Sequence, residues 1–256
     1  MRTVVKVGTS TLAYSTGNLN IRHMEKLCRV LSDLKNAGHE IILVSSGAVG
    51  MGMGRLSLSE RPADLVSKQA VAAVGQCELM YTYDKLFSEY NHTIAQILLT
   101  ADDVNDEGHR ENFIATVDKL LEMNVLPVIN ENDTVSTDEF LIGDNDTLSA
   151  VVAANAGAEL LILLTDTDGL YTANPREDPD AKLIPEITAI TDEIIALAGG
   201  SGSNMGTGGM ITKIRAAEIA TKAGCDMIIA NGKDPNILYN IIEGKVVGTK
   251  FIGKKN

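Results

Sequence analysis

Six short apolar runs, at 3–7, 40–45, 93–99, 125–129, 160–165 and 227–230, constrain this chain more than any other feature. Each is about one strand long and apolar almost throughout. Alternating apolar and polar residues mark a strand with one wet face, whereas an unbroken run marks a strand buried on both faces. None approaches the roughly 20 residues that a membrane span needs. Between the runs lie helical patterns at 21–37, 62–90, 109–123, 145–156 and 210–223. In the first of these, Met24, Leu27, Leu31 and Leu34 form one stripe and Gly38 supplies the stop. In the second, Gly75 is a candidate break. Strand and helix in alternation build a mainly parallel sheet covered on both faces, an α/β fold. Ligands of such sheets sit beyond the carboxyl ends of the strands. The residues just after the apolar runs are therefore the candidates for function.

Composition narrows the classes. The chain has 256 residues, with 22 Lys and Arg against 34 Asp and Glu, a formal charge of −12. A duplex nucleic-acid binder is usually basic, so nucleic acid is not the expected partner. An anionic ligand would have to be held by a few well-placed cations. At 45% hydrophobic and 22% charged residues the chain is not a disordered one. Its length fits one large α/β domain or two small ones. Cys28, Cys77 and Cys225 are far apart and cannot all pair, and no Cys/His spacing marks a metal site. A reducing, cytoplasmic compartment is the simplest expectation. The N-terminal apolar run is too short for a signal peptide.

Five segments carry candidate chemistry. Lys6 ends the first run and is followed by Gly8, Thr9 and Ser10. A buried lysine needs a partner, and a phosphate would serve; a lysine on an edge strand would simply face water. Ser45-Ser46-Gly47-Ala48-Val49-Gly50 follows the second run, where small residues let a helix N-terminus approach an anion, or where a serine merely caps a helix. Asn130-Glu131-Asn132-Asp133 and Gly143-Asp144-Asn145-Asp146 are dense in amides and carboxylates. One such run is readily a helix cap; two together fit a site for an ammonium group. Thr165-Asp166-Thr167-Asp168-Gly169 ends a strand and enters a turn. The stretch 165–185 reads as a hairpin or flap, and 199–209 is so rich in glycine that it reads either as a linker or as a ligand loop. Finally, Thr207, Gly208, Gly209, Met210, Ile211, Thr212 and Lys213 place a cation in the first turn of a helix. That opposes the helix dipole unless a polyphosphate binds there. Neither a GxxxxGK[ST] loop nor a GxGxxG after the first strand is present.

In order, KVGTSTL (6–12), SSGAVG (45–50), INENDTV (129–135), GDNDTLSA (143–150), LLTDTDGLYTANP (163–175) and GTGGMITK (206–213) resemble the amino acid kinase family, and within it the members that act on free glutamate. The resemblance spans nearly the whole chain. It implies a three-layer αβα sandwich with an open, mainly parallel sheet, formed as a single domain over 1–256. The chain ends at Asn256 without the RNA-binding-like PUA module of longer members. It also implies ATP-dependent phosphorylation of the glutamate γ-carboxylate, the first step of proline biosynthesis. By resemblance, Lys6 and Lys213 hold the transferred phosphoryl group and Asp146 organises the two lysines. Ser46, Asp133 and Asn145 contact glutamate, with Asn130 and Asp144 nearby. Thr165, Asp166 and Thr207 to Lys213 bind ATP. The implied partners are L-glutamate and ATP, a second copy of the chain in a homo-oligomer (dimer or tetramer), and proline as a feedback inhibitor, with no nucleic acid and no membrane.

Glutamate's side-chain carboxyl has an ordinary pKa near 4.3, so the nucleophile is already ionised at neutral pH and needs no general base. The obstacle is repulsion between that carboxylate and the nucleotide phosphates. Lysines, backbone N–H groups and Mg²⁺ riding on the ATP phosphates would have to offset it. Rival expectations are a kinase for uridylate, carbamate, acetylglutamate or aspartate, and a non-catalytic amino-acid sensor; retention of Lys6, Asp146 and Lys213 speaks against the sensor.

Overall fold

All six apolar runs are strands of one sheet in the computed structural model, which describes residues 1–14, 18–136, 145–175, 177–199 and 209–254. They are β1 (Arg2–Val7), β2 (Glu40–Ser45), β3 (Ile94–Leu99), β4 (Leu126–Glu131), β5 (Leu160–Thr165) and β7 (Asp226–Asn231). Two strands escaped the sequence reading, β6 (Glu186–Ile187) and β8 (Thr249–Phe251). At two and three residues they are too short to carry a periodic pattern. The sheet order is β3-β4-β2-β1-β5-β7-β8-β6. Every neighbouring pair is parallel except β7 with β8.

Helices α1 (Thr9–Leu12), α2 (Ile21–Asn36), α3 (Ala48–Arg55), α4 (Leu65–Ser88), α5 (Ala101–Asn105), α6 (Glu107–Glu122), α7 (Asn145–Asn155), α8 (Asp192–Ala198), α9 (Met210–Lys222) and α10 (Ile237–Ile242) complete the chain. Successive strand residues face opposite ways, and the core divides accordingly. On one face Val4, Ile42, Ile129, Leu161 and Met227 pack with Leu148 and Val152 of α7 and Ile214 of α9. On the other, Val5, Leu43, Val128, Ile162 and Ile228 pack with Leu27 of α2, Leu79 and Tyr83 of α4, and Leu238 of α10. This is the three-layer αβα arrangement. It also explains why the runs are apolar throughout: both faces of the central strands are covered. No helix among the described residues is long and apolar enough to cross a membrane.

Three expectations change. The helix over 62–90 is not broken at Gly75; α4 runs unbroken as Leu65–Ser88. The glycine is there for close approach: a Cβ on it would lie 1.7 Å from the Ala48 carbonyl oxygen of α3. Gly52 of α3 is in the same position, its Cβ falling 2.0 Å from the Val71 oxygen. Strand β4 extends through Asn130 and Glu131, so the amide-rich run begins inside the strand rather than after it. An edge position for Lys6 is excluded, because β1 is central and Lys6 is flanked by Val44 of β2 and Leu163 of β5. The stretch 165–185 does fold back as a hairpin, with Tyr171 bridged antiparallel to Leu183.

Candidate active site

The period of two along β1 puts Lys6 on the same face as Val4, the face covered by α7 and α9. Asp146 is the second residue of α7 and Lys213 the fourth of α9. The three meet at the carboxyl edge of the sheet. Lys6 Nζ lies 2.7 Å from Asp146 Oδ1, and Lys213 Nζ lies 3.0 Å from Asp146 Oδ2. Thr212 Oγ1 lies 3.0 Å from Asp146 Oδ2 and 2.7 Å from the Gly209 carbonyl oxygen, its single O–H shared between the two acceptors, which ties the start of α9 to the same carboxylate. Asp146 is 1% exposed and Lys213 5% exposed. Burial alone would push the Asp146 carboxyl up, but the two ammonium groups and their hydrogen bonds hold it below the usual carboxylate range. Among the described residues two ammonium groups share the Asp146 carboxylate here, at the carboxyl edge of the sheet where ligands of such folds bind.

A second network sits beside it. Asn145 Nδ2 donates to Ser46 Oγ at 2.6 Å and to Asn130 Oδ1 at 3.0 Å. Asn130 Nδ2 donates to Gln76 Oε1 of α4 at 2.9 Å. Ser46 follows β2, and its backbone N–H still bonds the Val7 carbonyl of β1 at 3.1 Å. Gly47 then adopts φ +115 as N-cap of α3, a conformation that favours glycine. Asp133 lies two residues past β4 in a turn whose Ser136 N–H bonds the Asn132 carbonyl. Burial pushes the Asp133 carboxyl up, and the charge of Arg61 opposes the shift.

Lys6, Lys213, Ser46, Asn130, Asn145, Asp133, Thr165 and Asp166 all line one cavity of about 780 Å³. That lies in the ordinary range for small-molecule sites. Thr165 ends β5, and its hydroxyl donates to Asp166 Oδ1 at 3.1 Å. Met210 and Ile211, partly buried, pack against the hydrophobic core beneath α9. Thr207, Gly208 and Asp144 lie outside the described residues. Glu131, from the amide- and carboxylate-rich run, also lines the cavity, and the sequence reading missed Arg61, Lys68 and Gln69, which line it too, and Gln76, which braces Asn130. Gln76 left a trace, as a polar residue on the buried side of α4. Arg61 and Lys68 left none, because surface cations are ordinary at the start of a helix.

The model of the amino acid kinase family matches residues 1–231. A glutamate 5-kinase of Clostridium perfringens is 52% identical, the match covering 99% of this chain and 96% of that protein. One from Clostridium tetani is 54% identical over 97% of this chain and 93% of its own length. One from Caldanaerobacter subterraneus is 51% identical over all of this chain and 69% of its own length. Among solved structures, carbamate kinase from Giardia lamblia bound to AMP-PNP superposes with a TM-score of 0.69 at 17% identity, covering 99% of this chain and 98% of that one. UMP kinase from Bacillus anthracis gives 0.68 at 15%, covering 99% and 96%. With seven of the eight strands and the Lys6–Asp146–Lys213 cluster inside the matched residues, the chain belongs to the amino acid kinase family.

Proposed function

We infer that the chain transfers the γ-phosphoryl group of ATP to the γ-carboxylate of L-glutamate, giving glutamyl 5-phosphate and ADP, the first step of proline biosynthesis. The observation that carries this reading is the 52% identity to glutamate 5-kinases across nearly the full chain, joined to a buried cluster in which Lys6 and Lys213 share the Asp146 carboxylate. The acceptor carboxylate arrives ionised, and no histidine lines the cavity among the described residues. The chemistry is therefore positioning and charge stabilisation rather than proton transfer.

In this reading Lys6 and Lys213 meet the charge on the transferred phosphoryl group. Asp146 sets their spacing by holding each on a separate carboxylate oxygen. Thr165, Asp166 and the start of α9, with Thr207 and Gly208 before it, bind the nucleotide. Ser46, Asn145 and Asp133 bind glutamate, Asp133 facing its ammonium group. Among the described residues no group of three or more His, Cys, Asp or Glu side chains is placed to hold a metal ion. Mg²⁺ enters this reading as an ion ligated by the ATP phosphates, where it would neutralise part of their charge. The same reading places the chain in the cytoplasm as a single domain over 1–256, working as a homo-oligomer and inhibited by proline.

The test is product trapping. With ATP and Mg²⁺, hydroxylamine should capture an acyl phosphate as a hydroxamate when glutamate is supplied, and not when aspartate, acetylglutamate, carbamate or uridylate replaces it. ADP release independent of glutamate, or a preference for another acceptor, would overturn the reading.

A further inference from the structure

A row of three amides runs from the cavity wall into the interior. Asn145 Nδ2 donates to Asn130 Oδ1 at 3.0 Å, and Asn130 Nδ2 donates to Gln76 Oε1 at 2.9 Å. Asn145 and Asn130 line the cavity, whereas Gln76 sits behind Asn130 and is 8% exposed. Its own Nε2 is buried and has no hydrogen-bond partner among the described residues. An orphaned buried donor costs stability. This glutamine carries that cost while supplying a single acceptor to Asn130.

The backbone fixes where that acceptor stands. Gln76 follows Gly75, where α4 meets the Ala48 carbonyl of α3 too closely for any side chain. Close-packed helices cannot slide past such a contact without a clash, so Gln76 is held with its helix. Polarity follows from the chemistry of the amide, which has a donor end and an acceptor end. A hydrogen-bonded row of amides must therefore point one way throughout. With Gln76 accepting, Asn130 presents its oxygen to Asn145. Asn145 then uses both Nδ2 hydrogens, one on Asn130 and one on Ser46 Oγ at 2.6 Å. Only its Oδ1 is left for a ligand, and an amide oxygen can meet only a donor. Glutamate at neutral pH carries two carboxylates, which accept, and one ammonium group, its only donor.

Resting on the glutamate reading, we propose that Gln76 is a positioning residue that sets the polarity of this row: through Asn130 it turns the Asn145 oxygen to the ammonium group of the substrate. Were the row reversed, Asn145 would offer its amino group instead and leave the ammonium without that partner. Gln76 touches no substrate atom in this scheme. Its effect belongs to binding rather than to the chemical step, and it reaches the ligand only by way of Asn130.

The experiment removes the acceptor and then returns it, with steady-state hydroxamate formation as the readout. Gln76→Met keeps the length of the side chain and deletes its polar end, leaving the Asn130 amide free to turn over. The glutamate KM should rise about three- to tenfold, the span of one neutral hydrogen bond. The kcat and the ATP KM should move far less. Gln76→Glu restores an acceptor and drops only the amino group that has no partner. At mildly alkaline pH, where its carboxyl is ionised and can only accept, it should recover most of the loss. A row of the opposite polarity would make Gln76→Glu as harmful as Gln76→Met, and that result overturns the proposal. In an Asn130→Ala background Gln76→Met should add nothing to the glutamate KM, because the path is already cut; effects that simply add overturn the proposal too. Where Gln76→Glu fails to fold, this cycle decides alone. A merely structural role would lower Tm and leave the glutamate KM in place, or raise the KM of both substrates together, and either outcome counts against Gln76. Failure of the wild-type chain to use glutamate at all would sink the functional reading and this proposal together, whereas glutamate turnover with an unmoved KM in Gln76→Met sinks this proposal alone.

Discussion

Replacing Asp146 by asparagine keeps the shape of the cluster and removes its one anion. The carboxylate is 1% exposed, with lysine nitrogens at 2.7 and 3.0 Å. Removing one partner of a buried ion pair is destabilising by about 3–5 kcal/mol, because the charge left behind stays desolvated. The asparagine oxygen can still accept one of the hydrogen bonds, so the low end of about 3 kcal/mol applies here. For a chain of this size that lowers Tm by about 6–12 °C, at 2–4 °C per kcal/mol. ATP brings negative charge back to the two lysines. Saturating nucleotide should therefore raise the Tm of Asp146→Asn by more than it raises that of the wild type. Activity should fall by two or more powers of ten in kcat, since Lys6 and Lys213 lose their common anchor. The pH dependence has a definite sign. The folded-state Asp146 carboxyl lies below its ordinary value, so its stabilising contribution is complete above about pH 4 and is lost as pH falls through the lowered value. The Tm gap between wild type and variant should hold steady through neutral pH and close only in strong acid. Thermal melts with and without ATP, across pH, measure all of this. A variant that melts with the wild type and gains no extra stability from ATP would show that the three charges are solvated, and the electrostatic account of the cluster would be wrong.

Other perturbations separate chemistry from binding. Lys213→Ala should lower kcat by about two or more powers of ten and move the glutamate KM little, because Lys213 meets charge that grows on the transferred phosphoryl group; a normal kcat by coupled ADP assay would contradict this. Asp133→Asn should raise the glutamate KM about ten- to a hundredfold, the loss of one charge-assisted hydrogen bond of roughly 1.5–3 kcal/mol, with the ATP KM unchanged. Because burial raises the Asp133 carboxyl, the wild-type glutamate KM should climb more steeply as pH falls toward that raised value than the variant's, whose rise reflects only the acceptor's own carboxyl near 4.3, and parallel pH profiles would refute the assignment. Gly75→Ala places a methyl group 1.7 Å from the Ala48 oxygen, so it should destabilise by at least the 1–3 kcal/mol typical of overpacking and disturb the Gly47–Gly50 wall of the cavity; an unshifted melting curve would show that α3 and α4 can part freely.

The sheet was legible in the sequence because burial on both faces leaves its mark at every position of a strand. The runs at 40–45 and 160–165 became β2 and β5 with the same bounds. Helix starts were legible too, since Lys213 falls in the first turn of α9 just past Gly209. The motifs placed Lys6, Asp146 and Lys213 in the candidate site, but spacing along the chain cannot say that three residues up to 207 positions apart share one carboxylate. That needed β1 to lie at the centre of the sheet with α7 and α9 on the face where Lys6 points. Lys6 itself was undecidable between edge and interior until its two neighbouring strands were known. Gly75 misled for the same reason: a glycine in a helical pattern reads as a break, and only the passage of α3 across α4 shows that the missing side chain makes room for a backbone. Arg61 and Lys68 lay deepest out of reach, because their place on the cavity wall depends on where the start of α4 packs against the turn after β4. Period and composition are properties of neighbours along the chain; a site is made by neighbours in space, brought together when the strands find their order.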